Sequence, residues 1–152
     1  MKTRINAGEA NDWLEILLDL KRKAVGIRFL FEKSDYEKND AAERNGTVPY
    51  CTAVRSGSEG KSIKLHLGNF ACLAAARALG LMENDENSRS GKRHSDMGVY
   101  ENVLVSRNIA KDMVYCGHSV YGIEIRPLED YREYNPDIVI LVTSPYNAMR
   151  VV

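Results

Sequence analysis

The chain has 152 residues, which is enough for one domain or at most two. Hydrophobic residues make up 44% of the chain and charged residues 28%, as in a globular protein with a buried core. Its 21 basic and 21 acidic residues give a net charge of zero, which excludes bulk electrostatic attraction to nucleic acid or to an anionic membrane.

Other sequence features concern the compartment. The longest aliphatic run, from Ile138 to Val142, is far shorter than the roughly 20 residues of a membrane span. The polar N-terminus lacks the apolar region of a secretory signal. Three cysteines, an odd number, fit poorly with a disulfide framework. We therefore expect a reduced, cytoplasmic chain with no nucleic-acid or membrane partner.

The first third of the chain predicts a helix, a strand and a polar connection. Apolar spacing predicts a helix from Asp12 to Lys23, with Asp12 and Glu15 forming a capping box. The β-branched and aromatic run from Val25 to Phe31 predicts a strand. The polar segment from Glu32 to Gly46 predicts a loop with a short helical turn.

The middle of the chain predicts two helices around a strand. Pro49 suits the start of a helix that continues to Arg55. Alternation from Ser62 to Leu67 predicts a strand with one solvent-exposed face. Asn69 suits the N-cap of a helix from Phe70 to Leu79, and Gly80 suits its end.

The segment from Glu83 to Gly98 contains one large apolar side chain, Met97, and predicts a mobile loop. Helical spacing returns from Val99 to Val114, with three expected core residues. These are Val103, Ile109 and Met113.

The last part of the chain predicts two strands and a helix. The strands run from Gly122 to Leu128 and from Asp137 to Val142, and the unbroken aliphatic run of the second predicts a central strand covered on both faces. A helix runs from Pro145 to Val152. The fold class is α/β, with mixed α+β as the alternative. We expect a single domain over residues 1–152, with about five strands in a mixed sheet and four to five helices.

Several short segments, in this order, resemble an uncharacterised prokaryotic family known as domain-of-unknown-function family 169. They are Leu20 to Lys23, Val25 to Phe29, Tyr50-Cys51, Asn69 to Gly80, Arg126 to Glu129, Pro136 to Ile140 and Pro145 to Arg150. The resemblance covers about Trp13 to Arg150 and implies no settled activity. Its members are frequent in anaerobes, which implies oxygen-sensitive thiolate or metal chemistry.

Two features depart from the family pattern. Asn147 stands where the family tends to have Gln. Family members usually continue beyond the last motif into a segment with another Cys, whereas this sequence stops at Val152. We therefore expect a site that is incomplete or that another subunit completes.

The four residues expected to bind a metal are three cysteines and a histidine. Cys51 and Cys72 each fall in the first turn of a predicted helix, where unpaired N–H groups favour a thiolate. Two thiolates suit zinc or part of an iron–sulfur cluster. Cys116 and His118 form a C-x-H pair with S and N donors. The alternatives are small buried cysteines and an ordinary turn.

Four polar residues form a second set, expected to bind an anion. Ser144 and Asn147 follow an aliphatic strand and open a helix, although Ser144 is equally suited to cap that helix. Arg28, which interrupts an otherwise apolar strand, or Arg126 is expected to supply the counter-charge. Arg28 suits equally an edge position that prevents aggregation.

The residues leave three functions open. The first is a thiolate-based metal or iron–sulfur protein with a redox or accessory role. The second is a metal-free module that binds a small anionic metabolite. The third is a homo-oligomer in which a second copy covers an exposed sheet face or edge.

Overall fold

The computed structural model describes residues 6–151, which contain five strands and eight α-helices. The elements are α1 (Ala7–Leu18), β1 (Val25–Leu30), α2 (Lys33–Lys38), β2 (Ala42–Glu43), α3 (Tyr50–Ser58), β3 (Ile63–His66), α4 (Leu73–Ala78), α5 (Glu86–Arg89), α6 (Lys92–Asp96), α7 (Val103–Asp112), β4 (Gly122–Pro127), β5 (Ile138–Ile140) and α8 (Pro145–Val151). Two 3₁₀ turns, Leu67–Asn69 and Leu128–Asp130, follow β3 and β4. Val152, the expected last helical residue, lies outside the described range.

The five strands form one mixed sheet in the order β2-β3-β4-β1-β5. β2 and β3 are parallel, and the other neighbours are antiparallel. The predicted α/β class with about five strands is therefore confirmed. The described residues hold more helices than the four to five expected, because α2, α5 and α6 are helices of four to six residues in polar segments.

Contacts divide the chain into two compact units. The first combines the described residues up to Cys72 with those from Tyr121 onward, and it contains the whole sheet. The second is Leu73–Val120 and contains α4 to α7. The expectation that residues 1–152 form one domain stays a prediction.

One face of the sheet is covered by α3, which packs against β1, β3 and β4. Gly57 makes the close approach possible, since a Cβ on it would lie 3.0 Å from Val25 Cγ1. Ile125, Leu65 and Ile27 are fully buried on this face. The strands β1 and β4 lie within one residue of their predicted bounds. Pro49 is the N-cap of α3 and not its first residue, and the helix continues to Ser58, beyond the predicted Arg55.

The opposite face of the sheet is also covered, so the prediction of a solvent-exposed face on the Ser62 strand is wrong. Lys64, which points to this face of β3, is only 9% exposed. Its ammonium group donates hydrogen bonds of 2.8 Å to the carbonyl oxygens of Tyr36 and Asn39, at and after α2. Alternation could not reveal this, because the covering element is a polar helix.

The strand β5 is an edge strand that pairs only with β1, so the prediction of a central strand is wrong. Val139 is 47% exposed, and Ile138 and Ile140 are half-buried. Asp137 fixes the start of the strand, because its backbone N–H donates to Ile27 O and its carboxylate accepts from the N–H of Phe29.

The helix α1 begins and ends earlier than predicted. Asn6 and Glu9 form the capping box instead of Asp12 and Glu15. Asp19, in the left-handed conformation with φ 45°, ends the helix. The basic residues Lys21 to Lys23 therefore follow the helix rather than closing it.

The predicted helix from Phe70 to Leu79 is shortened to α4. Asn69 is not its N-cap, because the Asn69 side chain accepts a hydrogen bond from His66 N, and Phe70 forms an isolated bridge with Val48. Gly80 follows the helix with φ 77°, as predicted for a terminator. A Cβ there would lie 2.3 Å from His118 O.

The segment from Glu83 to Gly98 contains α5 and α6, so the expectation of a loop without regular structure is wrong. Its contacts are polar: Asp85 caps α5 and pairs with Arg77 and Arg93 at 3.1 and 2.7 Å. Its mobility stays a prediction for amide exchange to measure.

The helix α7 begins after Asn102, later than the predicted Val99. It buries Ser106 and Ala110, whereas Val103 and Met113 are exposed and Ile109 is half-buried. Two of the three expected core residues are therefore wrong. Ser106 Oγ donates to Gly91 O at 2.6 Å, and a Cβ on Gly91 would lie 2.3 Å from Arg107 N. Small residues bring these helices together, and a search for large apolar residues misses them.

Among the residues that the structure describes, no helix combines the length and the apolar character needed to cross a membrane.

Candidate functional site

Two neighbouring cavities of the first unit follow the chain from β5 to α8. They measure about 550 and 540 Å³ and share Arg22 and Val142 as lining residues. We call the pair the β5 groove. The first cavity, between the end of α1 and α8, is its cationic half, and the second, between α3 and β5, is its apolar half.

The apolar half is formed by the side of α3 that does not face the sheet. Ala53 and Gly57 are buried against the strands. The residues that follow each of them, Val54 and Ser58, therefore lie on a neighbouring side of the helix and line the cavity beside β5. Tyr50, Val54, Ile140 and Val142 supply the apolar lining. The Tyr50 ring lies 5.9 Å from that of Phe70, and burial raises the pKa of its hydroxyl.

Cys51 also lines the apolar half and is exposed to solvent. It lies in the first turn of α3, as predicted. The serine and the two arginines of this half have partners within the protein. Ser58 Oγ donates to Arg55 O at 2.8 Å, and Arg55 Nε pairs with Glu59 at 2.9 Å.

The cationic half is lined by Lys21, Arg22 and Arg150, with Asp19 as its carboxylate. Lys21 pairs with Asp19 at 2.6 Å, but both side chains are more than 80% exposed. Such exposed pairs contribute little stability, so a ligand can replace them at little cost.

Arg22 stands at the junction of the two halves. Its Nη1 pairs with Glu59 at 3.3 Å, and the hydrogen bonds from Arg55 and Arg22 lower the pKa of that carboxyl. Arg150 lies over the Tyr146 ring, 5.9 Å from its centre. Within residues 6–151 it forms no ion pair.

Ser144 and Asn147, both expected to bind an anion, line the cationic half. The Asn147 side-chain amide donates a hydrogen bond to Leu18 O. Leu18 is the last residue of α1, so its carbonyl cannot accept the usual backbone hydrogen bond from a following turn of the helix. The Asn147 backbone N–H donates to Ser144 Oγ at 3.3 Å. The first contact holds α8 beside the end of α1, and the second caps the start of α8, which is the alternative role expected of Ser144.

Arg28 and Arg126 lie elsewhere, on the sheet face opposite α3. The structure brings them together with each other and not with Ser144 and Asn147. Arg126 pairs with Glu124 and, at 2.6 Å, with Asp40, and its hydrogen bond lowers the pKa of Asp40. Arg28 lies 4.3 Å from the centre of the Tyr134 ring.

Residues 14–152 match the family DUF169, whose description is "Uncharacterised ArCR". The chain belongs to this family. No curated protein and no solved structure matches it significantly. The family resemblance of the sequence is thus confirmed over nearly the whole chain, and it carries no activity with it.

The remaining residues expected to bind a metal are not gathered in one place in this DUF169 chain. Cys72 is half-buried and precedes α4, so its predicted place in a first turn is wrong. Cys116 and His118 line a cavity of about 480 Å³ in the second unit. Among residues 6–151, no three His, Cys, Asp or Glu side chains form a group that could hold a metal ion. A thiolate metal site stays a prediction.

The sequence analysis missed Lys21, Arg22, Tyr50, Val54 and Arg150 as site residues. The sequence did carry a signal for Lys21 and Arg22, which belong to a run of basic residues. That run was assigned to the end of the first helix, whereas it lies beyond Asp19, the left-handed residue that ends α1. Tyr50 and Arg150 stood out only as members of segments that resemble the family, and only the packing of α3 and α8 shows that they line one groove together with Val54.

Proposed function

We propose that this DUF169 protein binds a small anionic molecule in the β5 groove. The observation that supports this most directly is the charge of the lining. Four cations, Lys21, Arg22, Arg55 and Arg150, line the two halves together with one carboxylate, Asp19. Since the whole chain has zero net charge, this local excess of cations is a property of the groove.

The arrangement suits an anion for a second reason. Arg150 has a planar guanidinium held near an aromatic ring, and such groups bind carboxylates and phosphates through two parallel hydrogen bonds. Lys21 and Arg22 lie in the same cavity and hold only exposed partners. An arriving anion therefore gains cations without breaking a buried pair.

The test is a titration with inorganic phosphate and with acetate, followed by the backbone amide shifts of the protein. We expect saturable shifts around Arg22, Val142 and Arg150. Arg150→Gln should weaken binding by about ten-fold or more, the value of one charge-assisted hydrogen bond. Absence of a saturable response at these amides would overturn the proposal.

The matched control is Arg44→Gln. It removes the same charge from an exposed arginine beside β2, at the other edge of the sheet. We expect its binding to equal that of the unaltered protein. Equal losses in the two variants would mean that overall charge, and not the groove, attracts the anion.

A further inference from the structure

The two halves of the β5 groove differ in chemistry but are continuous. Arg22 and Val142 line both, and each half alone has a volume in the range that holds a small organic ligand. A molecule of moderate length whose anionic group lies beside Arg22 or Arg150 therefore extends into the apolar half.

The apolar half offers little to a polar ligand group. Its serine already has a partner, its two arginines, Arg22 and Arg55, share Glu59 as theirs, and most of the remaining lining is aliphatic or aromatic. Val142 is 45% exposed, so hydrocarbon surface remains in contact with water. An apolar chain or ring placed here is removed from water together with that surface, which is favourable.

We propose that the ligand is an amphipathic anion, a free small acid with its charged group in the cationic half and its apolar chain or ring in the Cys51 half. This rests on the proposed function and adds the class of molecule. Charge complementarity fixes the orientation, because the two arginines that line the Cys51 half, Arg22 and Arg55, both pair with Glu59, whereas Arg150 of the cationic half forms no ion pair within residues 6–151. A simple inorganic anion fills only one half.

A series of fatty acids tests the chain. We expect affinity to rise from acetate through butanoate to octanoate, by up to about three- to four-fold per added methylene that becomes buried. Octanamide, which keeps the chain and lacks the charge, should bind more weakly than octanoate. Equal affinities of acetate and octanoate, or of octanoate and octanamide, would overturn the inference.

Cys51 provides a direct readout of the apolar half in the unaltered protein. Iodoacetamide alkylation of each cysteine is followed by peptide mass spectrometry, with and without ligand. At four times the dissociation constant, octanoate should slow the alkylation of Cys51 about five-fold, because the occupied fraction is protected. Cys72 and Cys116 do not line the groove, so their rates serve as internal controls. An unchanged rate at Cys51 would contradict the proposed orientation.

A pair of isosteric variants separates this inference from the proposed function. Val54→Thr places a hydroxyl in the apolar half, whereas Val139→Thr places one on the exposed face of β5 outside the groove. Only Val54→Thr should weaken octanoate, and neither should change phosphate binding. If phosphate and acetate bind through Arg150 but octanoate gains nothing, this inference fails and the proposed function stands. If no anion binds, both fail.

Discussion

The ring of Tyr131 lies directly on the backbone of Gly26, where a Cβ would come within 2.2 Å of Tyr131 Cε2. Gly26 is in the middle of three strands, paired with Arg126 of β4 and Val139 of β5. Tyr131 is completely buried and packs with Ala24 and Leu128. A glycine inside a strand costs conformational entropy, and here it makes room for the largest side chain of this core.

We therefore expect Gly26→Ala to destabilise the protein by about 3 kcal/mol, the upper range for overpacking a core. Urea unfolding followed by circular dichroism measures it. Gly117→Ala is the matched control, because a Cβ there meets nothing within 4 Å. Combining Gly26→Ala with Tyr131→Leu should cost less than the two single changes added together. Strict additivity would show that the ring is not the obstacle.

The strands that sequence located well are those whose signal is local. β1 and β4 alternate or repeat β-branched residues, and both lie within one residue of the prediction. The position of β5 was wrong because an aliphatic run has the same appearance at an edge and at the centre. Only the pairing of Ile138 and Ile140 with β1, and the lack of a further strand, make it an edge.

The site was predictable only in part, for a related reason. Cys51, Ser144 and Asn147 were selected from their places beside predicted helix starts, and all three line the β5 groove. Arg28 was selected as a charge in an otherwise apolar strand, and Arg126 as a second possible counter-charge. Arg28 contacts Tyr134, and Arg126 contacts Glu124. These contacts depend on the register of the strands and on the path of the chain after β4, and no local sequence pattern carries that information.

The carboxylate of Glu124 is completely buried at the centre of a row of charges. It lies opposite Lys64 on β3 and opposite Arg28 on β1, pairs with Arg126, and accepts a hydrogen bond of 3.1 Å from the Tyr134 hydroxyl. Glu124→Gln removes the charge but keeps the shape. We expect a loss of about 3–5 kcal/mol in urea unfolding, because Arg126 is left buried with a weaker partner.

The control for Glu124 is Glu37→Gln, which breaks an exposed pair with Lys33 on α2. We expect it to cost less than 1 kcal/mol. Replacing Glu124 and Arg126 together by Leu and Met should recover much of the loss, since both buried charges are then gone. A Glu124→Gln protein as stable as the Glu37→Gln protein would contradict the role given to this carboxylate.

Asp85 makes the second unit sensitive to acid. The hydrogen bond from Ser88 N–H, with the nearby Arg93 and Arg77, lowers the pKa of Asp85 well below its usual range. Because the folded-state pKa lies below the unfolded one, its stabilisation is complete above about pH 4 and is lost as the pH falls further. Amide exchange in α5 should accelerate as the pH falls below that value. The dependence on pH should be less steep in Asp85→Asn, because the variant lacks the titrating carboxyl. Asp112→Asn, at the exposed end of α7, is the control, and equal pH profiles would refute the assignment.

The expected homo-oligomer stays a prediction, and substitution of the single tryptophan can test it. Trp13 is 60% exposed on α1, next to the 75% exposed Ile16, and Met149 on α8 is 73% exposed. Large exposed apolar side chains such as these favour association. We expect light scattering to give a multiple of the chain mass at micromolar concentration. Trp13→Gln should reduce that mass, whereas Val114→Gln, which changes a 91% exposed side chain of the second unit, should not. A monomeric unaltered protein would contradict the expectation.

A thiolate-bound metal is the last prediction, and the Cys51→Ser variant separates it from anion binding. If Cys51 is a ligand, protein purified without oxygen carries stoichiometric iron or zinc, and Cys51→Ser loses it. No ready-made cluster supplies the remaining ligands, since no three His, Cys, Asp or Glu side chains within residues 6–151 form a group that could hold a metal ion. Cys116→Ser tests the expected ligand of the second unit separately, and metal that is kept there but lost in Cys51→Ser would assign the site to Cys51. A colourless, metal-free and stably folded protein would contradict the metal prediction. Phosphate binding that persists in Cys51→Ser would then leave the groove, with Cys51 in its wall, as an anion site.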